Sequence, residues 1–151
     1  MRRVLLDTGP WLALFHSADR DHARSVAWLR REGAGIRLLS TWPVFTEVAF
    51  FLRAATKQRV LEWIDRGAVE LVDLDSRDRT AMHASIGRFA DQRPDLADAS
   101  LLAIADRLGI GEIATFDRKD FSMYRLARNA ALELTDFDAP APLPARRSRR
   151  R

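Results

Sequence analysis

No cysteine occurs in this chain, which removes disulfide bridges, thiolate zinc sites and a cysteine nucleophile from consideration. The three histidines, His16, His22 and His83, lack the spacing of a zinc site and read as helix-cap or surface residues. Long apolar runs are missing as well. Nothing approaches the ~18 consecutive apolar residues of a membrane span, and the opening Met1-Arg2-Arg3-Val4-Leu5-Leu6 is broken by Asp7 and Pro10. A soluble, cytoplasmic protein without an export signal or membrane contact is expected. What the chain does have is material for a core. Of its 151 residues 47% are hydrophobic, with four Trp and eight Phe, enough for one folded domain.

The formal charge of +4 is concentrated at the C-terminus. Residues 146–151 read Arg-Arg-Ser-Arg-Arg-Arg, five of the 25 basic residues; without them 20 basic residues face 21 acidic ones, a net charge of −1. Before that run, Pro140, Pro142 and Pro144 alternate with small or apolar residues, a composition that favours extended chain and buries no core. The expected organisation is one domain over residues 1–138 and a disordered Pro/Arg-rich basic tail over 139–151. The tail serves either solubility or nonspecific attraction to nucleic-acid phosphates.

Strand-like and helix-like segments alternate within the domain. Strands are expected at Arg3–Leu6, Ile36–Leu39, Val69–Leu74, Glu112–Thr115 and Ala131–Leu134. Helices are expected from about Trp11 to Phe15 with Thr8 as cap, from Asp21 to Arg31 with a stop at Gly33, and from Thr41-Trp42-Pro43 through Phe51. Three more are expected from Arg59 to Asp65, from a Ser76 cap to about Asp91, and from Pro94-Asp95 to Gly109. Strands separated by helices of this length imply parallel pairing, hence an α/β fold: a three-layer α/β/α sandwich around a central parallel sheet of about five strands.

Four acids stand at the edges of apolar segments: Asp7, Glu47, Asp98 and Asp117. An ionised carboxylate against apolar surface costs several kcal/mol, or its pKa rises, unless a positive charge compensates. A divalent cation is compensation that all four can share. Asp7 follows the first strand and Asp117 closely follows the fourth, so both point to the carboxyl ends of a parallel sheet, where ligands bind. Glu47 shares a helix side with the apolar row Val44, Val48, Phe51. Asp98 lies in the first turn of a helix, where the dipole favours negative charge.

Each acid also admits a purely structural role. Asp7-Thr8-Gly9-Pro10 is good turn and cap chemistry, and Asp95 with Asp98 fits a capping box. Asp117 has Arg118 and Lys119 beside it, and Glu47 has Arg53 or Arg88 as possible ion-pair partners. Four such acids on one sheet make the joint coincidence harder to accept. Two other readings of the first acid fail. Asp-Thr-Gly also occurs in all-β aspartic proteases, but helical patterning follows here at once. A haloacid-dehalogenase-like phosphatase needs a second aspartate where this chain has Gly9. The tryptophans Trp11, Trp28, Trp42 and Trp63 lie on apolar helical faces and read as core, with Trp42 near enough to the acids to contact RNA if exposed.

Val4-Leu5-Leu6-Asp7-Thr8-Gly9-Pro10, Thr41-Trp42-Pro43-Val44-Phe45-Thr46-Glu47-Val48, Pro94-Asp95-Leu96-Ala97-Asp98-Ala99-Ser100-Leu101 and Ile113-Ala114-Thr115-Phe116-Asp117-Arg118-Lys119-Asp120-Phe121 together resemble the PIN-domain family, and within it the VapC-type toxin ribonucleases. The likeness runs from the first strand to about Asp138. It implies that Asp7, Glu47, Asp98 and Asp117 bind Mg²⁺ or Mn²⁺, with Asp7 and Asp98 the most direct ligands. It also implies that Thr115 organises the acidic cluster, while Asp95 is a cap or outer-shell group. Such a site hydrolyses phosphodiesters with a metal-activated water, and RNA is the implied substrate. Arg118 and Lys119 are expected to contact its phosphates. The resemblance further implies a small antitoxin protein as partner and a homodimer. The rival is a non-catalytic RNA- or protein-binding module, against which the acids argue, because RNA binding gains nothing from clustered negative charge.

Overall fold

The structure is a computed structural model that describes residues 1–140. The basic run expected at the end of the tail lies outside the described residues.

Strand β1 (Arg2–Leu6) begins the chain and occupies the centre of the sheet. Its residues Val4, Leu5 and Leu6 are all buried, because a parallel strand covered by helices on both faces needs apolar side chains in both directions. Helices α1 (Thr8–Phe15) and α2 (His22–Glu32) lead to β2 (Ile36–Thr41), and α3 (Trp42–Phe50) and α4 (Ala54–Asp65) to β3 (Val69–Val72). Helices α5 (Ser76–Arg88) and α6 (Leu96–Leu108) lead across to β4 (Glu112–Ala114), and α7 (Arg118–Met123) to β5 (Glu133–Leu134). The order is β3-β2-β1-β4-β5, every pairing is parallel, and β1 is registered Leu5 to Leu39 on one side and Leu5 to Ile113 on the other. The five-stranded parallel α/β/α sandwich expected from the sequence is what forms. Among the described residues, no helix is long and apolar enough to cross a membrane.

The core runs along both faces of the sheet, from Trp11 and Trp28 to Leu101, Ile104, Phe121 and Tyr124. A smaller cluster of Met82, Ala99 and Ala103 joins α5 to α6, where alanines let the two helices approach closely. Helix α6 is buried from Ala99 to Ala105 and ends at Gly109, whose φ of +62° is the left-handed stop that glycine adopts without strain.

Several local expectations are corrected. Asp7, not Thr8, caps α1, because β1 ends at Leu6 and the Asp7 carboxylate accepts the Thr8 N–H at 2.7 Å. Asp75, not Ser76, caps α5, in a reciprocal box with Asp78. Helix α4 starts at Ala54 rather than Arg59; its first turn is exposed, so apolar periodicity begins only at Val60. Helix α5 stops at Arg88, short of Asp91, where a 3-10 turn and the left-handed Arg93 redirect the chain. Strand β3 stops at Val72, and β5 is two residues long. Helix α7 was not expected at all. Phe51 leaves the apolar row of α3 and is exposed, as is Trp42, whereas Trp11 and Trp28 are buried.

Candidate active site

The strand order changes direction between β1 and β4, so the loops leaving these strands diverge and open a crevice at the carboxyl edge. Asp7 lies directly after β1, and Asp117 caps α7 after β4, accepting the Asp120 N–H at 3.0 Å. The start of α1 meets the loop after β4 at Gly9: a Cβ there would stand 3.1 Å from the Phe116 ring, a tight fit that the ring would have to ease by a few tenths of an ångström.

Asp7 is nearly buried and both of its carboxylate oxygens are engaged. Oδ1 accepts from the Thr8 backbone, and Oδ2 accepts from the Thr115 hydroxyl at 2.6 Å. The Thr115 oxygen in turn accepts the Asp117 N–H at 3.0 Å, which links the loop after β4 to the acid after β1. Burial raises the Asp7 pKa to about 6; the Thr115 and Thr8 hydrogen bonds oppose the rise, and the charges of Glu47 and Asp95 add to it.

Asp98 occupies the first turn of α6, whose N-terminus is capped by Asp95 accepting the Asp98 N–H at 2.8 Å. Desolvation, then the charges of Asp95, Asp7 and Asp117, raise the Asp98 pKa to about 7. One bond works against that rise: the hydroxyl of Tyr124 donates to Asp98 Oδ2 at 3.1 Å. Tyr124, the only tyrosine of the chain, is buried beside Phe89 and Phe121, and burial with the Asp98 charge keeps its hydroxyl protonated far above the ordinary tyrosine range.

Glu47 reaches the same place from α3 and accepts a short hydrogen bond from the Thr8 hydroxyl. It makes no ion pair with Arg53 or Arg88; Arg88 instead bonds Asn129 and stacks on Phe89. The α3 and α6 starts are fixed to each other by a buried hydrogen bond between Thr41 and Ser100, 2.6 Å, and Ser40 donates to the Leu6 carbonyl at the end of β1. Asp7, Glu47, Asp98 and Asp117 thus converge, with Asp95 at the rim and Thr115 beneath. Arg118 and Lys119 are exposed in the first turn of α7, with Arg118 donating to the Thr135 carbonyl at 3.5 Å. Sequence reasoning missed Thr8 as a partner of Glu47, and Tyr124. Nothing in the sequence marks Tyr124, which lies 26 residues from the acid it touches.

Among the described residues, none of these five acids forms an ion pair. Nor do any three of them already enclose a point at metal-ligand distances. The donor set nevertheless suits a hard divalent cation. It is all carboxylate oxygen, and Asp7 and Asp98 have pKa values raised first by burial and then by neighbouring carboxylates, the condition that a cation relieves.

A family model described as PIN domain matches residues 4–129. Ribonuclease VapC26 of Mycobacterium tuberculosis is 29% identical over 126 residues, covering 81% of this chain and 92% of that protein. Among solved structures, Mycobacterium tuberculosis VapC20, a sarcin-ricin loop cleaving toxin, matches with a TM-score of 0.62 and 20% identity over 77% of this chain and 91% of its own. VapBC2 from Rickettsia felis, bound to a DNA fragment from its promoter, matches with a TM-score of 0.63 and 12% identity over 89% of this chain and 99% of its own. At such identities the two structures speak for the fold.

Proposed function

Because the chain belongs to the PIN domain family, we propose that it is a metal-dependent endoribonuclease that hydrolyses RNA phosphodiesters in the crevice at the carboxyl edge of the sheet. The observation that carries this reading is the set of converging carboxylates to which, among the described residues, the protein supplies no cation. A binding module would gain nothing from such a cluster, since it repels phosphate.

Asp7 and Asp98 are the residues to hold Mg²⁺ or Mn²⁺, with Glu47 and Asp117 completing the set. Bound there, the cation supplies Lewis-acid stabilisation of charge on the phosphodiester and acidifies water near neutral pH. The rest is work of the chain itself. Thr115 and Thr8 N–H fix the Asp7 carboxylate, and the Tyr124 hydroxyl fixes that of Asp98, so these two acids are oriented before substrate arrives. Glu47 is held by the Thr8 hydroxyl, and exposed Asp117 accepts the Asp120 N–H through one oxygen, which leaves its other oxygen for a shared ion or a reacting water. Exposed Arg118 and Lys119 stand beside Asp117, where they can take phosphates flanking the bond to be cut.

Likeness to VapC26 and to the VapBC2 assembly supports a further step: this chain is the toxin of a toxin–antitoxin pair, restrained by a small antitoxin protein. A cytoplasmic homodimer is the form proposed for it. The test is cleavage of labelled structured RNA by the purified chain with Mg²⁺, Mn²⁺ or EDTA. Cleavage that needs the metal and is lost in Asp7→Asn is expected. Metal-independent cleavage, or none across a broad RNA panel by folded, partner-free protein, contradicts the reading.

A further inference from the structure

The five arginines within residues 146–151 have no part in the site described so far, and the family match, which ends at residue 129, does not reach them. Taking these five from 25 basic residues leaves 20 against 21 acidic ones, so the rest of the chain carries a charge of −1. Much of its positive charge is also spoken for. Among the described residues, Arg2, Arg24, Arg31, Arg37 and Arg107 are all held by carboxylates. At the crevice, exposed Arg118 and Lys119 stand against five acids. A polyanion nearing such a rim meets repulsion before it meets any fitted surface.

The described chain fixes where residues 141–151 begin. After β5, the Phe137 ring packs on Phe116 at 4.7 Å, and Phe116 is the residue before Asp117. Arg24 clamps the same place, its guanidinium 4.5 Å from the Phe116 ring centre and bonded to Asp138 at 3.3 Å. Thr115 and Arg118 line one pocket with Asp136 and Asp138, so the exit lies beside the loop that carries Asp117. Of the acids near this exit, Glu32 and Glu112 are held by Arg2 and Asp138 by Arg24, which weakens any pull on further arginines. Arg146 follows Pro140 by six residues, about 20 Å of chain at full extension. The run thus starts within reach of a strand seated at the crevice.

We propose that Arg146, Arg147, Arg149, Arg150 and Arg151 are a second RNA-contact element of the nuclease, which takes phosphates of the substrate strand outside the crevice and holds that strand near the acids. The inference rests on the ribonuclease reading above. It supplies what the rest of the chain lacks, positive charge that attracts the backbone without reading bases. Recruitment and cutting are then divided. The arginines hold the strand whatever its sequence, and the choice of bond stays with the crevice.

The experiment compares the full chain with a full-length variant combining Arg146→Ser, Arg147→Ser, Arg149→Ser, Arg150→Ser and Arg151→Ser, and with its counterpart bearing lysine at the same five positions. Cleavage of a labelled structured RNA with Mg²⁺ or Mn²⁺ is followed over a series of monovalent salt concentrations, and the cut positions are mapped. Melting temperature and sedimentation check folding and mass. The serine variant is expected to raise KM more than about tenfold at low salt while kcat and the cut positions stay as they are. Its slope of log(kcat/KM) against log[salt] should flatten by about 2 if three arginines engage the strand and about 3.5 if all five do. The lysine variant should restore both, because charge alone is required. Equal KM and salt slope in the serine variant and its parent overturn the proposal and leave the nuclease standing. Faster cleavage by the serine variant overturns it in favour of arginines that occupy the acidic crevice. A loss that lysine does not restore, or that comes with a lower melting temperature, overturns it in favour of a structural role. No cleavage by the folded parent overturns the ribonuclease reading and this one with it.

Discussion

Helix α5 opens with Asp75-Ser76-Arg77-Asp78 and helix α6 with Asp95-Leu96-Ala97-Asp98, the same Asp-x-x-Asp start on two helices that pack against each other. The two pairs meet opposite fates. Asp75 is bound by Arg77 at 2.8 Å, and its pKa is lowered to about 2, first by that side-chain bond and then by the backbone N–H of Asp78. Asp78, buried, is met by Arg107 from the last turn of α6 at 2.8 Å, and Arg107 also donates to the Asp73 carbonyl. Across the molecule Asp95 and Asp98 have no such arginine among the described residues; Asp98 has only a tyrosine hydroxyl, and its pKa rises to about 7. The chain carries cations in abundance and places them where an acid is structural. An acidic pair without one is therefore the informative kind, and the local sequence alone does not tell the two apart.

The sharpest way to break this contrast is to neutralise one member of each pair. Asp98→Asn is expected to reduce RNA cleavage by more than about a hundredfold, because a metal ligand contributes several kcal/mol to the transition state. The same change should raise the melting temperature of metal-free protein, since it removes a half-buried charge facing Asp95, Asp7 and Asp117. A lower melting temperature for the metal-free variant would mean that Asp98 is structural. On the other helix, Arg107→Met leaves the Asp78 carboxylate buried and unpaired. A loss of about 3 kcal/mol in urea unfolding is expected, most of it recovered when Asp78→Leu is added. Little recovery in the double variant would show that Arg107 acts through the Asp73 carbonyl instead.

The caps give a smaller test. Asp75→Ala should cost about 1 kcal/mol of stability as a lost cap. Asp95→Ala removes an equivalent cap but also a charge that repels Asp98, so its cost in metal-free protein should be the lower of the two. The smallest expected effect is that of Tyr124→Phe. Loss of its hydrogen bond moves the Asp98 pKa further up, so the acidic limb of the cleavage pH profile shifts to higher pH while the fold is kept.

The pairs also differ in sign against pH. Asp7 and Asp98 have folded pKa values of about 6 and about 7, above their unfolded values near 3.8. The folded state then holds more protons than the unfolded one between those limits, so metal-free protein should lose stability as pH rises through that window and level off above it. Asp75, with a pKa lowered to about 2, contributes stability above pH 3.8 that is lost as pH falls toward 2.

Much of this was legible in the sequence because it depended on backbone-scale signals. The buried run Val4-Leu5-Leu6, the Gly33 and Gly109 stops and the strand–helix alternation led to the parallel sheet. Four acids of the site were visible for the same reason, each at a strand end or helix start, and Glu47 by its place on the apolar side of α3. What the sequence hid was lateral. Helix α4 begins with a solvent-exposed turn that has no apolar period, and α7 is only one and a half turns long, too short to carry one. Tyr124 and Thr8 act on acids from other elements, so no spacing reveals them. Nor could the pattern of α3 show that Trp42 and Phe51 face outward, since amphipathic periodicity marks an apolar side without saying what covers it.

The central claim is that the carboxylates around Asp7 and Asp98 lack a protein cation because they hold a metal ion. Its most direct test is the melting temperature of the purified chain, above the pKa of Asp98, titrated with Mn²⁺. Stabilisation of about 2.7 kcal/mol at a hundredfold excess over Kd is predicted for the wild type and little or none for Asp98→Asn. Equal response of the two proteins, or no response of either, would contradict the account.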